Sequence, residues 1–225
     1  MASGSLKRIY AVFNKDTKSE LRTRYSISAI FLFILTTITM IAIASANEKI
    51  STGVSAGILW VILFFSAMTG IAKAFVSEEE RGTGLLLKIY TSNEAVYFGK
   101  LLFNILLCLL LNIVSALFFL LINSELIVKE PLIFIYMILL GSLGLASGTT
   151  LISAIIARAN VKGALFPVLS FPILLPLIVA GIGLTKLSFE GGSFSDAQSD
   201  FLLMLAYSGV LIPASYILFD QIWEE

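Results

Sequence analysis

The chain contains no histidine, and this absence excludes several kinds of functional site. Histidine is a common metal ligand, a common axial ligand of haem iron and the usual proton carrier near neutral pH. The chain therefore cannot supply a serine–histidine pair for hydrolysis or a histidine ligand to haem. Its single cysteine, Cys108, cannot form a disulfide within the chain, and we interpret it as a small buried apolar residue.

Charged residues are also scarce. They make up 13% of the 225 residues, against about 25% in a typical globular domain. Hydrophobic residues make up 58% of the chain, and its mean hydropathy is +0.96. A soluble protein could not cover its surface with this composition, so we exclude soluble enzymes and nucleic-acid-binding proteins.

The few charges leave six uncharged runs of 19 to 27 residues. A helix that rises about 1.5 Å per residue needs roughly 20 apolar residues to cross the hydrocarbon core of a membrane. The runs do not show the alternation of apolar and polar residues that is typical of outer-membrane barrel strands. We therefore predict an all-α membrane protein with six transmembrane helices. The runs are residues 25–47, 50–72, 101–124, 131–157, 163–185 and 201–219.

The basic residues predict the orientation, because lysine and arginine are retained on the cytoplasmic side. With the N-terminus inside, twelve of the fifteen basic residues lie in cytoplasmic segments, and only Lys49, Lys129 and Lys186 lie outside. Both termini are therefore predicted to be cytoplasmic. Residues 44–46 have the small-x-small form of a signal-peptidase site, but a leader of 24 residues that includes Asp16 and Glu20 argues against cleavage.

Residues 1–24 form a cytoplasmic segment with a predicted amphipathic helix. Leu6, Ile9, Tyr10 and Phe13 recur at the spacing of one helix face, and the lysines and arginines lie off that face. We predict an elbow helix at the membrane interface, with its apolar face toward lipid. The alternative, a solvated leader, would leave that face uncovered. Residues 25–225 then form the six-helix transmembrane domain.

The segment between the second and third runs, residues 76–96, offers apolar side chains where a loop should face water. Ser77 and Glu80 could form a capping box, and two glycines allow the chain to turn sharply before a leucine-rich stretch. We predict a short helix that docks into a cytoplasmic protein, with neighbouring charges setting its register. The alternative is an interfacial helix that rests on lipid. The residues concerned are Glu78, Glu79, Glu80, Arg81, Gly82, Gly84, Leu85, Leu86 and Leu87.

This segment carries no nucleotide-binding loop. A Walker motif has four residues between its glycines and a lysine after the second, and Gly82-Thr-Gly84 has neither. No nucleophile, base and orienting group can be named elsewhere in the chain. We therefore expect a non-catalytic protein with no metal or cofactor bound directly, and any ATP hydrolysis would take place in another subunit.

Polar, small and proline residues within the runs predict how the helices pack. Asn104 and Asn112 in the third run, and Gly141, Gly144 and Gly148 in the fourth, are interpreted as contacts between helices.

Three prolines interrupt the fifth run. A regular helix would lose backbone hydrogen bonds at each of them, so we predict a kinked or broken helix packed against protein. A static kink is favoured over a hinge, and both remain open. The prolines are Pro167, Pro172 and Pro176.

Over nearly its whole length the chain resembles the CcmB family, the transmembrane subunit of the haem-exporter type of ABC transporter. The resemblance rests on the elbow helix and six spans, on residues 75–87 followed by 97–100, and on residues 141–150 and 166–176. One departure is Thr91-Ser-Asn93, where the family commonly has a serine–proline turn.

The resemblance implies an ABC-2-like permease half in the bacterial inner membrane. It implies pairing with an ATP-binding subunit, CcmA, and with CcmC and CcmD, and ATP-driven release of the haem-loaded chaperone CcmE. ATP and haem would then be held by the partner proteins, and a second copy of the chain is expected because two ATPase copies require two permease halves. Two alternatives remain: a permease half for another cargo, such as a lipid or drug, and a membrane scaffold that transports nothing.

Overall fold

The computed structural model describes residues 2–23, 25–44, 50–71, 78, 82–83, 87, 89–157 and 162–224. This part of the chain contains seven helices of 20 residues or more and no strand, so the prediction of an all-α protein is confirmed. The helices are α1 (Ala2–Thr23), α2 (Tyr25–Ala44), α3 (Thr52–Ile71), α4 (Asn93–Ile122), α5 (Pro131–Ala157), α6 (Lys162–Glu190) and α7 (Gln198–Glu224).

Five helices in the described ranges, α3 to α7, are long and apolar enough to cross a membrane, so the chain is a membrane protein. They match the second to sixth uncharged runs. The first run corresponds to α2, whose described apolar part, Ser28–Ala44, is shorter than a full span. The sixth span therefore stays a prediction. Helix α4 starts at Asn93, well before the uncharged run at residue 101, because a helix end that projects beyond the hydrocarbon core can carry charges.

Helix α5 packs against α3, α4, α6 and α7. Its glycines lie where these neighbours come closest. A Cβ atom on Gly144 would lie 2.5 Å from a Leu177 methyl group, and one on Gly148 would lie 2.7 Å from a Leu174 methyl group, both on α6. Gly141 faces the ring of Trp60 on α3, at 3.0 Å from such a Cβ. The small residues thus let α3 and α6 approach the backbone of α5.

Trp60 is the largest fully buried side chain of the bundle, and it fixes α3 against α6. Its indole Nε1 donates a hydrogen bond to Thr185 Oγ1 at 3.0 Å. A Cβ atom on Gly181 would lie 1.8 Å from the same ring, so only glycine fits at that turn of α6. A buried indole needs a partner for its N–H group, and the threonine hydroxyl supplies it.

Helix α6 continues through the three prolines without a break, so of the two predicted forms the broken helix is wrong. Two further hydrogen bonds reach carbonyls in this part of α6: Tyr207 of α7 donates to the Ile173 carbonyl at 3.1 Å, and the hydroxyl of Ser170, in α6 itself, donates to the Phe166 carbonyl at 2.5 Å.

Candidate functional site

Four charged side chains from three separate parts of the chain meet in a closed ring. Helix α1 contributes Lys15 and Asp16, the 76–96 segment contributes Glu78, and α4 contributes Lys100. Lys100 Nζ lies 3.1 Å from Asp16 Oδ2 and 3.3 Å from Glu78 Oε1. Lys15 Nζ lies 2.8 Å from Asp16 Oδ1 and also contacts Glu78 Oε1. Each cation therefore contacts both carboxylates, and the four charges cancel. We call this group the charge ring.

Three of the four members are largely shielded from solvent. The side chain of Lys100 is 1% exposed, those of Glu78 and Asp16 are 10% and 12% exposed, and only Lys15 is open, at 42%. Burial alone would raise the pKa of Glu78. The opposing effects of Lys100, Lys15 and the Thr83 hydroxyl are larger in sum, and they lower the pKa of Glu78 to about 2. Glu78 is therefore ionised at neutral pH.

A close approach of α1 to α4 brings the ring together. A Cβ atom on Gly99 would lie 2.6 Å from Val12 Cβ and 2.9 Å from the Ile9 carbonyl oxygen, so the two helices meet at a residue with no side chain. Asp16 lies one helical turn after Val12, and Lys100 directly follows Gly99. The backbone contact thus places the carboxylate of α1 beside the ammonium of α4.

Lys100 is near the start of a helix that is longer than a membrane requires. Helix α4 has 30 residues, which span about 45 Å, whereas the hydrocarbon core is about 30 Å thick. Lys100 is the eighth residue of this helix, so its charge can lie outside the hydrocarbon core. Its buried ammonium is then paired within the protein and need not reach bulk water.

A turn holds Glu78 within its own segment. The Thr83 backbone N–H donates to the Glu78 carbonyl at 3.0 Å, and the Thr83 hydroxyl donates to the Glu78 carboxylate. Gly82 has φ of +65°, in the left-handed region that glycine adopts without strain. The Leu87 N–H then donates to the Thr83 carbonyl at 3.1 Å. The carboxylate in the ring is therefore connected through this turn to Leu87.

In this segment Leu87 packs against the helix bundle, whereas the nearby side chains of Ile89 and Tyr90 are exposed. Leu87 is partly buried and packs on a cluster from α4, α5 and α7. Ile89 and Tyr90 are 76% and 77% exposed. The cluster under Leu87 consists of Val96, Tyr97, Leu101, Ala154 and Phe219. The segment thus exposes two large apolar side chains close to Leu87, which packs against the helix bundle.

The start of α4 is also attached to the end of α7. Asn93 Nδ2 donates to Asp220 Oδ1 at 2.9 Å, and the hydroxyls of Tyr97 and Ser215 share a hydrogen bond of 2.5 Å. Helices α1, α4 and α7 and the 76–96 segment therefore meet at one end of the bundle.

Three of the residues predicted for the docking segment can be located. Glu78 lies in the charge ring, Gly82 forms the turn, and Leu87 packs on the chain itself, where we had expected it to offer surface to a partner. Six others, with the proposed capping box, lie outside the described residues. They are Glu79, Glu80, Arg81, Gly84, Leu85 and Leu86.

Sequence reasoning missed the other three members of the ring. In the sequence, Lys15 and Lys100 count among the cytoplasmic basic residues, Lys100 also ends the motif of residues 97–100, and Asp16 is a charge of the leader; none of this predicts that they meet. One signal was available for Lys100: it lies between residues 95–99, which are apolar, aromatic or small, and the uncharged run that begins at residue 101, and a charge in such surroundings needs a partner.

Two asparagines of α4, Asn104 and Asn112, lie at its contact with α5. Asn104 Nδ2 donates to Thr150 Oγ1 at 2.8 Å, and Asn112 Nδ2 donates to Ser142 Oγ at 2.9 Å. Each hydroxyl in turn donates to a carbonyl of α5. These pairs connect α4 to α5 in the interior of the bundle.

Within the described ranges, no three histidine, cysteine, aspartate or glutamate side chains are grouped so that they could hold a metal ion. The charge ring contains neither a free carboxylate nor a free amine, so it can join elements of the structure but offers no group for acid–base chemistry.

One family model matches the chain. Its description is "CcmB protein", and the match covers residues 7–216. The matched range includes all four members of the charge ring and the whole 76–96 segment. No curated protein and no solved structure matches the chain significantly.

Proposed function

Because the chain belongs to the CcmB family, we propose that it is driven through its 76–96 segment by a separate ATP-binding subunit. The family comprises permease subunits of the ABC transporter of cytochrome c biogenesis, which are not themselves enzymes. The finer proposal concerns coupling: the segment fits a groove of the ATP-binding subunit, and nucleotide-driven dimerisation of that subunit moves it.

The observation that carries the proposal is the exposed pair Ile89 and Tyr90 beside an anchored leucine. Two neighbouring large apolar side chains that are each about three-quarters exposed favour a covered state over contact with water. A docking segment also needs a rigid attachment to the bundle, and Glu78 and Leu87 supply one on each side of the turn. A segment that is attached in this way can transmit a force from the ATP-binding subunit to the helices that it contacts.

The proposal includes the arrangement of the helices in the membrane. Helix α2, with 20 residues, is the first of six spans. Helix α1 is the elbow helix at the cytoplasmic interface, where Leu6 and Tyr10 are 66% and 65% exposed toward lipid and Val12 packs on α4. Both termini and the 76–96 segment are then cytoplasmic, in the bacterial inner membrane.

The partners follow from the family. The ATP-binding subunit is CcmA, the neighbouring subunits are CcmC and CcmD, and CcmE is the haem-loaded chaperone whose release the complex drives. Two copies of the chain pair with two copies of the ATPase. Because the chain has no histidine, it offers haem iron no histidine ligand, which favours force transmission over passage of haem through this subunit.

The test replaces the exposed apolar pair and measures co-purification of the ATP-binding subunit. The variant Ile89→Ser with Tyr90→Ser should retain the fold, because both side chains are exposed, and should lose most of the bound subunit. The matched control is Leu6→Ser with Tyr10→Ser on α1. Leu6 has the same size as Ile89, and both control side chains are exposed to a similar extent as Ile89 and Tyr90. This control should retain the subunit.

Two outcomes would contradict the proposal. If the Ile89 and Tyr90 variant binds the ATP-binding subunit normally but partitions less well into the membrane, the segment is an interfacial helix on lipid. If the unaltered chain binds no ATP-binding subunit, the chain is a scaffold.

A further inference from the structure

We infer that the charge ring makes α1 a moving part of the coupling machinery, with Lys100 as the positioning residue that holds the 76–96 segment, α1 and the base of α4 as one body. The inference rests on the proposed function, because it concerns where the force delivered to the segment goes. It assigns a role to Lys15, Asp16 and Lys100 beyond the packing of α1 against α4.

The first step is the connectivity of the ring. Its members lie on three elements that are far apart in sequence, and each cation contacts both carboxylates. A displacement of Glu78 relative to α1 would have to separate it from Lys15, and a displacement relative to α4 would have to separate it from Lys100. Either separation would remove one of the two ion contacts that Glu78 makes in a poorly solvated site, and loss of both would leave its charge unpaired.

The second step is the path from the docking surface to the ring. Ile89 and Tyr90 lie two and three residues after Leu87, whose N–H donates to the Thr83 carbonyl, and Thr83 is bonded to both the carbonyl and the carboxylate of Glu78. A force applied at the exposed pair can therefore reach the ring through the turn and through the two hydrogen bonds between Thr83 and Glu78.

The third step is the stiffness of the contact beyond the ring. Helix α1 meets α4 at Gly99, where the Val12 side chain lies against the backbone, so at this contact only a short, branched side chain separates the two helices. Packed interiors shift between discrete arrangements and do not deform continuously. A movement of the segment should therefore carry α1 with it.

A purely structural role predicts something different. Buried ion pairs add little net stability compared with apolar side chains of the same shape, whereas they do fix which groups face each other. Neutral replacements that leave no charge unpaired should therefore keep the fold and the docking surface but uncouple the elements. This difference separates a positioning role from a stabilising one.

The experiment measures hydrogen exchange of the α1 amides in the assembled complex, with and without a non-hydrolysable ATP analogue. In the unaltered complex, nucleotide should change α1 exchange. Glu78→Gln with Lys100→Met breaks the ring but leaves Lys15 and Asp16 paired, and it should reduce the α1 response at least threefold while the ATP-binding subunit stays bound. Lys100→Arg alone, which keeps the cation and leaves Glu78 unchanged, should retain the response.

A second variant removes the contacts that α1 makes in the charge ring. Lys15→Met with Asp16→Asn removes the α1 members and leaves the Lys100–Glu78 pair in place, so the α1 response should fall while the response at the start of α4 remains. The matched control is Lys186→Met with Glu190→Gln, the same kinds of change at an exposed ion pair of α6. This control should respond like the unaltered complex.

The inference is overturned if α1 shows no nucleotide response in the unaltered complex, or if both ring variants respond normally. If the unaltered chain binds no ATP-binding subunit, the proposed function fails and the inference fails with it. If the ring variants bind the subunit and lose only the α1 response, both stand.

Discussion

Replacing Lys100 by methionine is the most informative single change at the charge ring. Methionine fills much of the volume of the lysine side chain but removes its charge, and it leaves Asp16 and Glu78 with Lys15 as the remaining cation. Two carboxylates that are 12% and 10% exposed would then share one ammonium that is 42% exposed. The ring would carry a net negative charge in a poorly solvated site.

The size of the effect follows from the cost of leaving a buried charge without its partner. Removing one member of a buried ion pair typically costs about 3–5 kcal/mol. Because Lys15 still contacts both carboxylates, we expect a loss in the free energy of unfolding at the low end, about 3 kcal/mol. For a chain of this size that corresponds to a fall in melting temperature of roughly 6–12 °C.

The loss should depend on pH in a definite direction. In the unaltered protein the pKa of Glu78 is about 2, below its ordinary value of 4.5. Glu78 therefore contributes stability that is fully present above about pH 4.5 and is lost as the pH falls toward 2. Lys100 is the strongest of the influences that lower this pKa, so the pKa of Glu78 should rise in the variant. Protonation of Glu78 then relieves the excess negative charge, and the penalty should shrink on acidification.

The assay is thermal unfolding in detergent at pH 8 and pH 3.5, followed by tryptophan fluorescence, to which the fully buried Trp60 contributes. Lys100→Arg is the control, because it keeps the cation, and it should lose much less. The reasoning is refuted if Lys100→Met melts within about 2 °C of the unaltered protein at pH 8, or if its deficit is as large at pH 3.5 as at pH 8.

The remaining predictions concern helix packing and topology. Gly99→Ala should destabilise the protein by about 1–3 kcal/mol, because the added methyl group would overlap a side chain and a backbone carbonyl of α1. Gly181→Ala should cost at least as much, because its methyl group would overlap the buried indole ring. Thermal unfolding tests both against Gly57→Ala, which meets no atom within 4 Å and should be neutral or slightly stabilising; equal melting of all three would contradict the packing account. In membrane vesicles of known orientation, Asn160→Cys should react with an impermeant thiol reagent from the cytoplasmic side and Ser193→Cys from the opposite side, and the reverse pattern would invalidate the topology.

The long helices were predictable because an uncharged run of sufficient length satisfies its backbone groups internally and its side chains in lipid. Hydropathy located the apolar run from residue 101 but not the start of α4, because a helix end outside the hydrocarbon core can carry charges. Lys100 lies in this part of the helix, and its ammonium is paired within the protein. Hydropathy records the composition of a segment, whereas the pairing of its charges depends on which other segments pack beside it.

The charge ring could not be predicted for the same physical reason. Asp16, Glu78 and Lys100 are brought together by the approach of α1 to α4 at Gly99, and a glycine in a helix does not reveal which partner it admits. The apolar face of α1 was visible in the spacing of Leu6 and Tyr10. Val12, which is buried against Gly99, lies off that face, so its contact could be identified only from the tertiary structure.

The proposal that this subunit transmits force from an ATPase is tested most directly by ATP-dependent release of the haem-loaded chaperone from the reconstituted complex. With Ile89→Ser and Tyr90→Ser in the permease, release should fall to the level seen without ATP, while the permease itself melts normally. Normal ATP-driven release by that variant, or ATP hydrolysis by the purified permease alone, would contradict the account.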